Sequence, residues 1–359
     1  MLPKRVRKSI HRSLFDKYII GGRTFSPVKT KHRSSLDHLL VEGPWRSENH
    51  IFVSSNSFIG RPLSRSEKVV PEKVVVSVYG NFGNQILETI VACYVATQFR
   101  VPKVILRESG VFRVGEHQIG EVTVVAPDRS LQRPLLSDAI RTFSVSRSPE
   151  RHLAGTFLLN WMEGEYEFDL HRLELISSQV PATLNFELSG DPLGLHDLTV
   201  SFRGGDAFSQ KPHPAYGQPP LAYYQFVVDS RKWNHVRVVS DDWQNPTLQP
   251  FLSWLALRGV SFEYVEQDWR SDVSLLFRSR NVVAPRGSFV PAVYAISPFI
   301  QTMYHFGPLE SPVCNERVRI VVDKDQTFSR SVLGHEWTAS EEQLDLMMSF
   351  SRQRLCFLS

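Results

Sequence analysis

Short runs of β-branched residues alternate with amphipathic stretches along much of the chain, and this pattern predicts an α/β protein. The first strong candidate strand covers 73–79, which is short and rich in valine, as buried parallel strands are. A glycine-containing turn at 80–85 follows, then a predicted helix over 86–99 with apolar residues on one face, and a strand at 104–106. Strand, turn, helix and strand together form the βαβ unit of a Rossmann-like domain.

A second series of alternating strands and helices begins after the Ser-Gly-Asp-Pro stretch at 189–192, a candidate domain boundary. The predicted strands of both series, after the first two, are 122–125, 156–159, 198–202, 236–239, 262–265, 281–284 and 318–322. The predicted helices of the second series are 220–230, 248–257, 272–279, one that starts at Phe289, and 340–350. The last of these is a candidate to cross back and brace the first domain.

Composition and length fit this picture. The chain has 359 residues, 42% apolar and 22% charged, which favours two ordinary globular domains. The net charge of +4 is small, and no basic-aromatic motif of a nucleic-acid module is present, so no nucleic-acid partner is expected. Residues 1–33 hold ten Lys or Arg and one acid. They predict a solvated arm or, alternatively, contact with an anionic membrane, at roughly 1 kcal/mol per basic residue.

The cysteines and the hydropathy bear on location. Three cysteines leave one over and show no metal-binding spacing, which suits a reducing compartment, with Cys93 a core residue. No apolar run reaches the roughly 18 residues of a membrane-spanning helix. These features predict a cytoplasmic protein, with peripheral membrane contact through residues 1–33 left open.

Candidate chemistry lies where strands of the second series end. Arg203 follows one strand, Ser240, Asp241 and Asp242 follow the next, and Ser288 precedes a helix. In open α/β sheets ligands bind outside such strand ends, and helix starts with a nearby arginine suit phosphate. Singly, each feature is more often a surface arginine, a turn or a plain N-cap. Together they predict a nucleotide site in one crevice.

Four blocks in this order resemble the α1,2-/α1,6-fucosyltransferase superfamily (family 11-like, GT-B-type), which is related to protein O-fucosyltransferases. The blocks are Tyr-Gly-Asn-Phe-Gly-Asn-Gln at 79–85, Ser-Phe-Arg-Gly-Gly-Asp at 201–206, Val-Ser-Asp-Asp-Trp at 239–243, and 272–289, where an acid opens a short helix and a Ser-Phe pair follows the next strand. The resemblance implies α/β architecture with two Rossmann-like domains facing a cleft. It also implies an inverting glycosyltransferase that moves a sugar, with fucose the first candidate, from a GDP-sugar donor to a glycan or glycoconjugate hydroxyl.

On this resemblance the chain divides into a basic arm and irregular cap (1–70), an N-terminal acceptor-side domain (71–190), a C-terminal GDP-sugar-binding domain (191–310), and a C-terminal strand with a bracing helix (311–359).

The resemblance also implies roles for individual residues. Arg203 would bind the donor diphosphate, and Asp272 would accept hydrogen bonds from guanine N1–H and N2–H. Ser288 and Phe289 would contact phosphate. The other residues expected to contact the donor, some from the opposite domain, are Gly83, Asn84, Gln85, Gly205, Ser240 and Asp241. The chain departs from the family at Ser201, where the family has histidine, and at Gly204, where it has a second arginine.

Catalysis by inversion calls for a general base on the acceptor hydroxyl. Asp206 is the first candidate, with His213 and Glu88 next, although Asp206 could instead fold its own loop and Glu88 could lie on a solvated helix face. The long loop at 208–220, which carries Lys211, His213 and Tyr216, is a structural loop by default and a candidate lining of the acceptor channel.

No Asp-x-Asp pair stands at a strand end where it would hold a Mn²⁺-diphosphate, so we expect catalysis without metal or other cofactor, with Arg203 and helix starts supplying the positive field. Asp241 and Asp242 are adjacent, and at least one of them is expected to cap a turn. Two alternatives stay open: use of another nucleotide sugar on a similar scaffold, and a binding protein that has lost catalysis.

Overall fold

The computed structural model describes residues 50–54, 73–77, 81–98, 100–107, 109–126, 142–146, 152–155, 169–307, 317–334 and 336–358. Three sequence predictions therefore fall outside the described residues: the basic arm at 1–33, the strand at 156–159, and the Tyr79-Gly80 start of the first block. Cys93 is buried, as expected, and burial raises the pKa of its thiol to about 12.

The first domain is built on a mixed sheet. Its strands are β1 (His50–Ser54), β2 (Lys73–Ser77), β3 (Lys103–Arg107), β4 (Gly115–Ile119), β5 (Val122–Ala126), β6 (Thr142–Ser146) and β7 (His152–Gly155). They lie in the order β1-β6-β7-β2-β3-β5-β4, in which β7, β2, β3 and β5 are parallel. Helix α1 (Phe82–Gln98) connects β2 to β3 and completes the predicted βαβ unit, and helix α2 (Leu170–Gln179) follows later.

The second domain is built on a nearly all-parallel sheet. Its strands are β8 (Asp197–Phe202), β9 (His235–Ser240), β10 (Phe262–Val265), β11 (Asn281–Ala284), β12 (Thr302–Phe306), β13 (Val318–Asp323) and β14 (Leu355–Phe357). They lie in the order β10-β9-β8-β11-β12-β13-β14, and only β14 pairs antiparallel. The first six strands follow the 3-2-1-4-5-6 order of a doubly wound fold. The strand order therefore reverses between β8 and β11, where such folds place their ligands.

In the described part of the chain, five α-helices flank this sheet: α3 (Leu221–Asp229), α4 (Leu248–Leu257), α5 (Trp269–Arg278), α6 (Phe289–Ile296) and α7 (Glu341–Ser349). Short helical turns cover Gly205–Phe208, Ser329–Leu333 and Arg352–Arg354. Strands β8 and β11 are buried almost throughout because helices cover both faces of the sheet. The predicted fold class, α/β with two Rossmann-like domains, is confirmed.

The two domains share a hydrophobic core. Helices α5 and α6 bury apolar side chains in the same cluster as α1 and β2–β5, while α3, α4 and α7 pack in a second cluster on the other face of the second sheet. Helix α6 contacts α1 and α2 directly. The apolar faces of α5 and α6 therefore join the domains.

Two expectations need correction. Among the described residues, helix α7 packs on the second domain and not on the first, because Met347 and Phe350 enter the second cluster and the helix contacts α3. Helix α1 begins at Phe82 instead of 86, so Gly83, Asn84 and Gln85 lie in its first turn and not in a loop. In the described part of the chain, no helix has the length and apolar character needed to cross a membrane.

Candidate functional site

Arg203 stands at the centre of the candidate site, directly after β8. Its Nη2 lies 3.0 Å and 3.2 Å from the two carboxylate oxygens of Asp206, and its Nε lies 3.3 Å from one of them. The guanidinium carbon lies 3.8 Å from the centre of the Tyr216 ring, a cation–π contact. Its Nη1 donates to the Arg286 carbonyl at 3.5 Å. Arg203 therefore reaches across the switch point from the end of β8 to the turn after β11.

The Gly204-Gly205 turn after Arg203 is held by the two adjacent aspartates at the end of β9. The Gly204 N–H donates to Asp241 at 2.6 Å, and the Gly205 N–H donates to Asp242 at 2.8 Å. A Cβ at Gly204 would lie 1.9 Å from Asp242 Oδ1. No larger side chain fits at position 204 without rearrangement. The Gly205 N–H, expected to meet the donor, is used within the protein.

The aspartates themselves have mainly structural partners. Asp242 Oδ1 also accepts the Gln244 N–H at 2.8 Å, so Asp242 caps a turn as expected, and the Ser240 hydroxyl donates to the Asp242 carbonyl at 2.7 Å. Burial raises the pKa of Asp241, the Gly204 N–H lowers it, and the neighbouring Asp242 charge raises it again. Ser240 is buried, so it serves the turn and does not face solvent.

Two buried amides that sequence reasoning missed support Arg203 from behind. Asn245 donates to the Arg203 carbonyl at 2.9 Å. Gln218 is fully buried, and its Nε2 donates to the carbonyls of Tyr216 at 2.9 Å and Arg286 at 3.3 Å. Gln218 thus links the ring below the guanidinium to the carbonyl beside it. The sequence gives no signal for these hydrogen bonds, because the donor and acceptor residues of most of them are distant in the chain.

Asp272 lies in the first turn of α5, after β10. Only 6% of the residue is exposed, and its Oδ1 has no hydrogen-bond partner within the described part of the chain. Burial raises its pKa to about 6. The Gln267 amide opposes that rise, although it forms no hydrogen bond of ordinary geometry here, while the charges of Asp241 and Asp268 add to it. A buried carboxylate oxygen without a donor is costly and suits a ligand that brings N–H groups.

The start of α6 meets the start of α1 beside Arg203. A Cβ at Gly83 would lie 2.5 Å from the Ser288 carbonyl carbon and 2.7 Å from the Phe289 nitrogen, so only glycine permits this approach. The Ser288 side chain forms no capping bond to α6 among the described residues. Two positive helix ends therefore converge at the strand tips. Gly83 achieves this by packing, whereas sequence reasoning expected it to touch the donor.

The two amide residues of the first turn of α1 differ in their surroundings. Asn84 is partly exposed. The Gln85 side-chain oxygen accepts from the Ser109 hydroxyl at 3.2 Å and the Gly110 N–H at 3.3 Å, and only 7% of Gln85 is exposed. Gln85 therefore holds the loop after β3 of its own domain.

The candidate bases lie in three different environments. Asp206 is half-exposed and bound to Arg203. His213 is exposed, and its Nδ1 accepts the Ala215 N–H at 3.2 Å, while its ring lies 4.8 Å from that of Tyr216. Glu88 is fully buried in α1, so the expectation of a solvated helix face is wrong. Of the three, Asp206 and His213 are accessible to an acceptor.

The loop at 208–220 is tied to the C-terminal segment. The Trp337 indole N–H donates to the Ala207 carbonyl at 2.6 Å, and the Trp337 backbone N–H donates to Pro214 at 2.8 Å. Gly217 lies against the Val332 carbonyl. These contacts support the structural interpretation of the loop, and Lys211 remains exposed on it.

The structure thus brings together, beyond the carboxyl ends of the strands of the second sheet, most of the residues that the sequence suggested: Arg203, Asp206, Ser240, Asp241, Asp272, Ser288 and Phe289. The described residues contain no cluster of three or more His, Cys, Asp or Glu side chains with metal-binding geometry. The metal-independent mechanism stays a prediction.

No protein-family model and no curated protein matches the chain. Among solved structures, the E. coli heptosyltransferase WaaC with ADP is similar at a TM-score of 0.31 and 10% identity, over 76% of this chain and 95% of that chain. A likeness this distant carries no inference about function.

Proposed function

We propose that the protein is an inverting, metal-independent glycosyltransferase that moves a sugar, fucose first among candidates, from a GDP-sugar to a glycan hydroxyl. One observation carries the proposal. Arg203 and the start of α6 flank the switch point of a 3-2-1-4-5-6 sheet. At the same carboxyl end of the sheet lies a buried carboxylate oxygen of Asp272 that has no hydrogen-bond partner among the described residues. A nucleoside diphosphate has the matching chemistry, an anion at one end and ring N–H donors at the other.

Donor binding would begin by displacing Asp206 from Arg203. The Asp206 side chain is 56% exposed, and exposed ion pairs contribute only about 0–1 kcal/mol. A diphosphate offers more negative charge and two oxygens to the same guanidinium, so the exchange is favourable. Tyr216 and the Arg286 carbonyl keep the guanidinium oriented during the exchange.

Asp272 would select the base. Guanine presents N1–H and N2–H side by side, and an ionised carboxylate accepts both, whereas adenine presents no such pair. The Oδ1 without a partner is the acceptor that this interaction requires.

In the transfer step, the acceptor oxygen would attack the anomeric carbon as the bond from that carbon to the GDP oxygen breaks. GDP leaves with the electron pair, and Arg203 with the start of α6 stabilises its growing charge. The released Asp206 carboxylate takes the acceptor proton, with His213 as the alternative base.

The test is a thermal-shift panel of GDP, UDP, ADP and CMP on the full chain, since a ligand that binds the native state raises its melting point. GDP should give the largest shift, and Arg203→Met should remove it. Arg258→Met, at an exposed arginine paired with Asp229, is the matched control and should keep the GDP shift. Equal responses to all four nucleotides would overturn the proposal.

One observation favours a second candidate, a nucleotide-binding protein without catalysis: Asp206 already neutralises Arg203. GDP-sugar hydrolysis or transfer by the purified chain separates the two functions. Binding without turnover on a panel of GDP-sugars would favour the second.

A further inference from the structure

An exposed aromatic pair lies beside the candidate site. Trp243 is 50% exposed, and its ring centre lies 4.4 Å from that of Tyr264, with the two planes at 45°. Exposing tryptophan to water is unfavourable, because burial of its large apolar surface stabilises a protein or a complex strongly. The solvent-exposed face of the Trp243 ring is therefore available for stacking with a flat ligand.

The Trp243–Tyr264 pair lies near the carboxyl ends of the strands, as the candidate site does. Trp243 comes shortly after β9, and Tyr264 lies near the end of β10, the parallel neighbour of β9. Burial raises the pKa of the Tyr264 phenol, and the charges of Glu266, Asp272, Asp242 and Asp241 raise it further. Asp272 therefore acts on the Tyr264 phenol, and the first turn of α5, which carries Asp272, follows β10 closely in the chain.

We propose that the Trp243–Tyr264 pair is the stacking surface for the nucleobase whose edge Asp272 reads. This inference rests on the proposed function and adds the aromatic contact that it lacks. A base stacked here would bring its N–H edge toward the α5 first turn.

The spacing of the strands supports this arrangement. The midpoint between β9 and β10 lies two strand spacings from the midpoint between β8 and β11, which is about 10 Å at about 4.8 Å per spacing. The base would lie at the β9–β10 end and the diphosphate at the β8–β11 switch point. This order along the edge, base and then phosphate, needs one extended nucleotide and no second molecule.

The charge around the pair also favours a base over an anion. Two of the carboxylates that act on the Tyr264 phenol, those of Glu266 and Asp272, do not hold the Gly204-Gly205 turn beside Arg203. They would repel an anion at the pair and accept hydrogen bonds from a neutral, donor-rich ring. A neutral sugar ring also packs on tryptophan through its C–H face, and the experiment distinguishes a sugar from a base.

The experiment titrates the full chain with GDP and, separately, with inorganic pyrophosphate, by calorimetry. Trp243→Ala should weaken GDP binding about 5- to 150-fold, which corresponds to ~1–3 kcal/mol per stacked base. Pyrophosphate binding should not change, because it has no base. Trp243→Phe should recover most of the GDP affinity, and Leu257→Ala, at a residue 88% exposed, should match the wild type.

Three results would count against the proposal. GDP binding unchanged in Trp243→Ala would overturn it while leaving the proposed function intact. Equal loss of GDP and pyrophosphate binding in Trp243→Ala, with a melting temperature like that of the wild type, would indicate a phosphate role and would also overturn it. A raised KM for the glycan acceptor with unchanged GDP affinity would assign the pair to the acceptor. If the wild type binds no GDP, the proposed function fails first, and the titration shows that directly.

Discussion

Replacing Asp272 by Asn tests the candidate base site through both stability and binding. The pKa of Asp272 rises from 3.8 to about 6 on folding, mainly through burial. The native state therefore holds this proton more tightly than the unfolded state, and the resulting stabilisation is complete below pH 3.8. It is lost as the pH rises through about 6.

The magnitude follows from the size of the shift. At about 1.4 kcal/mol per pKa unit, the rise corresponds to an upper limit of about 3 kcal/mol. Solvent contact screens part of it, so we expect about 1–2 kcal/mol. The free energy of unfolding of the wild type minus that of Asp272→Asn should fall by this amount between pH 4 and pH 7, measured by urea denaturation.

A matched control lies one turn earlier. Asp268 caps α5 and accepts the N–H groups of Arg270 and Ser271, and hydrogen bonds to Ser271 and Arg270 lower its pKa. Asparagine also caps helices well, so Asp268→Asn should keep the fold. The pH trend of its difference curve should have the opposite sign, because a lowered carboxyl pKa stabilises the native state at high pH.

The same variant reports on guanine recognition. Ionised Asp272 is the acceptor, so GDP binding to the wild type should strengthen as the pH rises through about 6, the pKa of Asp272, and level off above it. Asp272→Asn should lose about 10- to 100-fold in GDP affinity, as expected for charged hydrogen bonds of about 1.5–3 kcal/mol. Difference curves that stay flat between pH 4 and 7, or GDP affinity unchanged in the variant, would refute the reasoning.

Three further substitutions test the rest of the site. Gly204→Ala places a methyl group against the Asp242 carboxylate and should lower stability by about 1–3 kcal/mol in urea denaturation; a neutral result would show that the turn is soft. Gly83→Ala places a methyl group against the Ser288 backbone and should lower stability at least as much, with α1 and α6 losing their protection from hydrogen exchange together. Loss of protection in one helix alone would contradict their coupling. Asp206→Asn should reduce GDP-sugar turnover about 100-fold with little change in melting temperature, and intact turnover would remove Asp206 as the base.

The sequence located most of the second domain because its local signals agree with its tertiary fold. Predicted and observed bounds coincide for α4, β10 and β11, where apolar residues run between clear turn signals. Strand β12 (Thr302–Phe306) escaped prediction because it holds only one β-branched residue, and pairing with β11 and β13 makes it a strand. The early start of α1 likewise depends on a contact with Ser288 that is distant in sequence.

For the candidate site, the sequence by itself determined which side chains lie between a strand end and the next helix, since Arg203, Asp241 and Ser288 follow directly from the order of strands and helices. Only the tertiary structure decided their partners. The pairing of Arg203 with Asp206, the retention of Gln85 in its own domain and the unpartnered oxygen of Asp272 arise from packing between segments far apart in the chain. Strand ends are fixed by local periodicity, whereas hydrogen bonds and burial depend on which distant groups the fold brings within about 3 Å.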